Sequence, residues 1–238
     1  MTLRILVSRP QPGAGRTSKR LAAEGFHPLV EPMLTVATVD VELPRFRPGQ
    51  AIALTSPNGA LRVAQMTEDR DVEVYCIGSA TRDEAISVGF KNTHSAEGDS
   101  HDLVAYITRN RKPSDGPVLH VANRDAGDRL AGRLRSEGFD AEALHVYRTL
   151  AVTKRGPVLS AMLAGTTRVD AMLVHSPKSA RTLAALLAPG APVDAAIIAI
   201  SNAAADPLRA ASKTPPLVAE APTDQAIMDA LKQWAQTA

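Results

Sequence analysis

Leu21-Ala22-Ala23-Glu24-Gly25-Phe26 and Leu134-Arg135-Ser136-Glu137-Gly138-Phe139 are one phrase written twice, and they decide the fold. Each copy follows a short apolar run, Ile5-Leu6-Val7 in the first case and Val118-Leu119-His120 in the second. Arg16 and Arg20 fall on Arg129 and Arg133 at the same offset. This strand-helix-strand piece is a first unit. A second unit repeats as well. Leu54-Thr55-Ser56-Pro57 matches Val174-His175-Ser176-Pro177, and Ala96-Glu97 matches Ala219-Glu220. The chain order is first, second, first, second, which a duplicated fold explains most simply.

Outward from the repeat, short apolar runs alternate with amphipathic stretches. Strands are predicted to start near Ile5, His27, Ala51, Val74, Asn92, Val118, Ala141, Ala171, Ile197 and Leu217. Helices are predicted over Arg16–Glu24, Asn58–Met66, Ala80–Val88, Asp102–Arg109, Arg129–Glu137 and Lys178–Leu187, among other stretches. Strand-helix alternation argues for parallel sheets covered by helices. One first unit plus one second unit supplies a five-stranded, doubly wound α/β sheet of flavodoxin-like size. Two pairings fit: tandem domains, or the opening unit paired with the closing one. Thr35-Val36-Ala37-Thr38-Val39-Asp40-Val41 and Arg148-Thr149-Leu150-Ala151-Val152-Thr153 continue as alternating strands. Lying side by side they would form a two-stranded linker, or each is a simple edge extension.

Composition narrows the function classes. The chain has 238 residues, enough for two small cores, with 45% hydrophobic residues and 3% aromatics, so aliphatic side chains must build them. The net charge of +2 comes without a basic run or aromatic interleaving, so no nucleic-acid partner is expected. No apolar run approaches the ~18 residues of a membrane span. Cys76 is the single cysteine, and the opening residues lack a signal-peptide pattern; a cytoplasmic protein is expected. No Cys/His cluster, HExxH or P-loop appears, so neither a metal nor a cofactor is expected.

Candidate binding residues follow from the strand ends. In doubly wound folds ligands sit beyond the C-terminal ends of strands. Ser56-Pro57 and Ser176-Pro177 occupy such ends, and serine before proline is helix-start chemistry by itself. Gly78-Ser79 and Ser201-Asn202 also begin helices after strands. Helix N-termini present free amides that suit carboxylates, so these turns serve as caps and as an anion surface. Asn58 lies in the first turn after Pro57. Arg9, Arg124 and Lys178 lie just past strand ends, where a cation meets a carboxylate or is a solvated surface charge. Cys76 and His120 fall inside strands and are expected to be buried. His145 and His175 lie at strand ends without a visible partner.

The segments Ile5-Leu6-Val7-Ser8-Arg9-Pro10, Leu54-Thr55-Ser56-Pro57-Asn58-Gly59, Tyr75-Cys76-Ile77-Gly78-Ser79-Ala80-Thr81, Ala96-Glu97-Gly98-Asp99 and Val146-Tyr147-Arg148-Thr149 resemble the uroporphyrinogen-III synthase family in order and spacing over nearly the whole chain. The resemblance implies two α/β domains, 1–36 with 151–238 and an inserted 37–150, joined by the two-stranded linker, with the active site in the cleft between them. It implies a cofactor-free, monomeric lyase that closes hydroxymethylbilane, a chain of four pyrroles with eight carboxylates, into uroporphyrinogen III. It also implies Tyr147 as the catalytic residue, whose phenol donates to the departing hydroxyl, and Thr81 as a hydroxyl in contact with substrate. The sequence departs from the family at Ser201-Asn202-Ala203-Ala204, where many members carry threonines. A bilobal binding module or a non-catalytic regulatory homologue would share the cleft but not the chemistry.

Overall fold

The protein is described by a computed structural model covering residues 2–187 and 192–237. In chain order its strands are β1 (Arg4–Val7), β2 (His27–Val30), β3 (Leu34–Thr38), β4 (Ala51–Leu54), β5 (Glu73–Cys76), β6 (Asn92–Ser95), β7 (Val118–Asn123), β8 (Ala141–Ala151), β9 (Ala171–Val174), β10 (Ala196–Ala199) and β11 (Leu217–Val218). The helices are α1 (Gly13–Ala23), α2 (Pro57–Met66), α3 (Ser79–Ser87), α4 (Ser100–Asn110), α5 (Arg129–Ser136), α6 (Pro157–Leu163), α7 (Pro177–Leu187), α8 (Asn202–Ala205) and α9 (Asp224–Ala235).

The repeated phrase is a helix stop. In α1 the Phe26 N–H reaches the Leu21 carbonyl and the Gly25 N–H the Ala22 carbonyl, with Gly25 at φ 82°. In α5 Phe139 reaches Leu134 and Gly138 reaches Arg135, with Gly138 at φ 87°. This pair of bonds satisfies the last carbonyls and needs a residue tolerant of positive φ, which is why glycine recurs. Ala85, Ile86, Gly89 and Phe90 close α3 with the same two bonds, a third copy that spelling had hidden.

Two compact units result. One comprises Met1–Thr35 with Leu150–Ala238, the other Val36–Thr149. The first holds a sheet in the order β11-β10-β9-β1-β2, with every neighbouring pair parallel. Ile5 stands beside Ala171, so the opening strand lies in the sheet of the closing segment. The second sheet runs β3-β8-β7-β4-β5-β6, one strand more than the five expected, because β3 adds to the edge beside the long β8. From β8 to β6 all its pairs are parallel.

Parallel strands covered on both faces read as continuous apolar runs. Ile5, Leu6 and Val7 accordingly are all fully buried. Leu6, Met172 and Ile197 face Leu159 and Leu183, while Ile5, Leu173 and Ile198 face Leu21, Ile227 and Leu231. In the second unit Ile52, Val74 and Val121 face α2 and α3, whereas Ala53, Tyr75 and Val118 face α4 and α5. Among the described residues no helix is long and apolar enough to cross a membrane.

Candidate active site

At the C-terminal end of β4 the chain turns sharply into α2. Ser56 is extended (φ −162°, ψ 154°), its Oγ accepts the Gly59 N–H at 3.2 Å, and Pro57 follows at the first helical position. This is the capping expected from the sequence. The same Oγ lies 2.5 Å from the Tyr147 hydroxyl.

Tyr147 reaches Ser56 through an irregularity of the sheet. The β7–β8 register shifts between Ala122 and Asn123, so that Ala122 faces His145 while Asn123 faces Tyr147. Val146 is the extra residue. Side chains alternate faces in a regular strand, whereas here Val146 and Tyr147 both join the cluster against α2 and α3. Tyr147 is 5% exposed. Burial raises its pKa, opposed by the hydrogen bond to Ser56, so the phenol is protonated at neutral pH.

Thr55, one residue earlier, points toward β7. Its Oγ1 lies 3.3 Å from Nε2 of His120. His120 is buried, with Nδ1 unpartnered among the described residues. His145 has a neighbour that the sequence did not reveal, Asp128, with Nε2 and Oδ1 at 3.6 Å. Cys76 is fully buried, and burial pushes its thiol up to about 12.

At the end of β5, Gly78 caps α3 and Ser79 is exposed. The Ser79 N–H is already in use: it donates to the Glu97 carboxylate at 3.3 Å. Glu97 holds a positive φ of 51°, and its pKa is lowered, first by the Ser95 hydroxyl. Thr81 is 3% exposed, in the first turn of α3. Arg124 is exposed, in a short 3-10 turn (Arg124–Ala126) after β7, and Asn58 is half-buried in the first turn of α2.

The other unit repeats the arrangement with different partners. Ser176 Oγ accepts the Ser179 N–H at 3.1 Å at the start of α7, and Lys178 is half-buried beside it. Ser201 precedes α8 without a side-chain cap, and Asn202 is exposed; α8 is a single turn. Arg9 lies past β1 and donates to Asp224 at 2.8 Å, at the start of α9. His175 also has a neighbour, with Nε2 4.0 Å from Asp224, and its side chain is 5% exposed. Asp224 was missed because the match lies in another segment, although Thr223-Asp224 reads as a helix start. Among the described residues no group of three or more ligating side chains would hold a metal.

The buried histidines give a pH dependence. Burial, then the Arg9 charge, lowers the His175 pKa to about 3, with Asp224 opposing; burial, then His145, lowers His120 to about 4, with Asp128 opposing. Both are neutral in the fold and gain protons on unfolding below pH 6.5. Stability is therefore full above about 6.5 and falls as pH drops toward those values. Each histidine contributes about 2 kcal/mol of loss between pH 7 and 5 by this linkage. Urea midpoints measured across that range should fall, and a His175→Asn variant should show the shallower slope. Parallel slopes for variant and wild type would refute the assignment.

Two doubly wound α/β units, crossed twice by one chain and bearing serine-led helix starts beyond their strand ends, define a two-unit α/β protein. The profile of the family described as Uroporphyrinogen-III synthase HemD matches residues 15–229, and the chain belongs to the uroporphyrinogen-III synthase family. It is accordingly an enzyme, a cyclising hydro-lyase of porphyrin and heme biosynthesis. The fold is similar to that of the uroporphyrinogen-III synthetase of Helicobacter pylori, at 15% identity and a TM-score of 0.62 over 98% of this chain and 100% of that one. It is also similar to a mutant uroporphyrinogen III synthase from Thermus thermophilus, at 18% identity and a TM-score of 0.54 over 100% of both chains. No curated protein matches the sequence.

Proposed function

We propose that this enzyme closes hydroxymethylbilane to uroporphyrinogen III with Tyr147 as the hydrogen-bond donor to the departing hydroxyl. The reaction loses the terminal hydroxyl as water, leaves an electrophilic azafulvene, and closes at the substituted carbon of the last ring, so that this ring is inverted. The observation that carries the reading is family membership over residues 15–229 together with a buried, protonated phenol within β8, beside its register shift. Nothing favours the non-catalytic alternative. The backbone amides at the helix starts led by Ser56, Gly78-Ser79, Ser176 and Ser201-Asn202, with Asn58, are assigned to the substrate carboxylates, the Ser56 hydroxyl itself being engaged with Gly59 and Tyr147, and Lys178 and Arg124 to charge complementarity. Arg9 takes a secondary place, because a carboxylate there must compete with Asp224. Glu97 stands at the α3 amides much as a substrate carboxylate would, and must yield them for Ser79 to bind one. We assign the enzyme to the cytoplasm as a monomer, on the single buried cysteine and the family's small-molecule substrate.

Unassisted hydroxymethylbilane closes to the symmetric type I isomer, so isomer choice is the test. The protein, given enzymatically made hydroxymethylbilane without added metal or cofactor, should yield predominantly the type III product, resolved by chromatography after oxidation. Only type I product from folded protein would overturn the proposal and return the chain to a binding or regulatory role.

A further inference from the structure

We infer that Ser56 is the positioning residue of Tyr147, and that the two hydroxyls act as one hydrogen-bond-donating unit; this rests on the role given to Tyr147 above. Ser56 Oγ lies 2.5 Å from the phenol oxygen and is the hydrogen-bond partner that the structure gives it. The serine oxygen is itself anchored, because it accepts the Gly59 N–H at the start of α2. Gly59 in turn sits tight on the sheet, where an added Cβ would come within 3.2 Å of the Val121 carbonyl. The register shift in β8 completes the arrangement from the other side, turning Tyr147 onto the face where Ser56 waits.

The chemistry follows from counting hydrogens. Two hydroxyls carry two hydrogens, and their mutual bond uses one. One O–H is left for a third partner, whichever way the shared hydrogen points. When the terminal C–O bond of the substrate breaks, its electron pair goes to the departing oxygen, which takes that free hydrogen and leaves as water. The hydrogen given is the phenol's, and the Ser56 O–H stays on serine and donates its hydrogen bond to the phenolate left on Tyr147. The proton released by the substrate on ring closure restores the pair. Burial keeps the phenol protonated until then. Without Ser56, Tyr147 keeps its hydroxyl but loses the group that fixes its direction, so turnover suffers while substrate binding does not.

A double-mutant cycle on the full-length enzyme tests this, with kcat, KM and melting temperature measured for each variant. Ser56→Ala should lower kcat roughly tenfold or more with KM within about twofold, and Ser56→Thr should restore it. Ser56→Asp keeps the helix-capping acceptor but carries no hydroxyl hydrogen; it should keep the melting temperature and remain slow. The double variant Ser56→Ala/Tyr147→Phe should be no slower than Tyr147→Phe alone. The inference is overturned if Ser56→Ala turns over at the wild-type rate, if the two losses multiply, or if Asp restores activity as well as Thr. A slow Tyr147→Phe beside a normal Ser56→Ala removes only the positioning role. A wild-type rate in Tyr147→Phe removes the tyrosine's role and this pairing with it.

Discussion

Tyr147→Phe is expected to fold normally and to lose roughly ten- to a thousandfold in kcat, the worth of one hydrogen bond made mainly in the transition state. The ring remains, so the contacts that Tyr147 makes in the cluster with Val146, Leu54 and Val121 are kept. Only the hydroxyl goes. Its partner Ser56 retains the Gly59 N–H and is half-buried, so water can replace what it loses; the stability cost should be about 1 kcal/mol or less. The discriminating measurement is initial rate against substrate concentration, with the type III fraction determined at each point. A drop in kcat with KM unchanged places the interaction in the transition state. If the variant makes type III product as fast as the wild type, Tyr147 is a packing residue and the donor lies elsewhere.

Glu31→Ala should give the largest stability loss, on the order of 2–4 kcal/mol, from the loss of three charge-assisted hydrogen bonds. Glu31 is 6% exposed, and its carboxylate accepts the N–H groups of Gly156 at 3.0 Å, Val158 at 2.6 Å and Leu159 at 3.1 Å. It therefore caps α6 from a segment far away in sequence, supplying acceptors for amides that have no partner inside the helix. A Cβ at Gly156 would lie 2.7 Å from the carboxylate carbon, so a substitution there must displace the Glu31 cap. Glu31→Gln, which retains one acceptor oxygen but aims an N–H₂ at the same amides, should recover only part of the loss. Urea midpoints for the three proteins at pH 7 decide the matter. Equal midpoints for Ala and wild type would mean that water caps α6 equally well.

Neither Glu31 nor Asp224 was singled out by sequence pattern, and the reason is the same for both. A cap supplied by the residue just before a helix is local and legible, as at Ser56 and Ser176. A cap or counter-charge supplied by another segment leaves no periodic trace. Glu31 and Leu159 are 128 positions apart, and Arg9 and Asp224 are 215. The helix-stop phrase shows the opposite limit. Its bonds span at most five residues, so Leu21 to Phe26 and Leu134 to Phe139 carried their structure openly.

By itself the sequence determined where the strands and most helices lie, that the chain is a duplicated α/β fold, and that Ser56 and Ser176 begin helices, because period, capping and glycine stops act over a few residues. The motifs through Tyr147 pointed to the family before any coordinate did. The repeat left two pairings open, since both possible sheets would bury the same apolar runs; the resemblance implied the swapped one, and in the tertiary structure β1 lies beside β9. Tertiary structure alone buried Thr81 and tied Arg9 to Asp224. It also set the face of Tyr147. Strict alternation along β8 would have put this residue on the same face as His145, and the register shift against β7 moves it to Ser56. A shift of that kind depends on how two strands pair, and neither strand spells it out on its own.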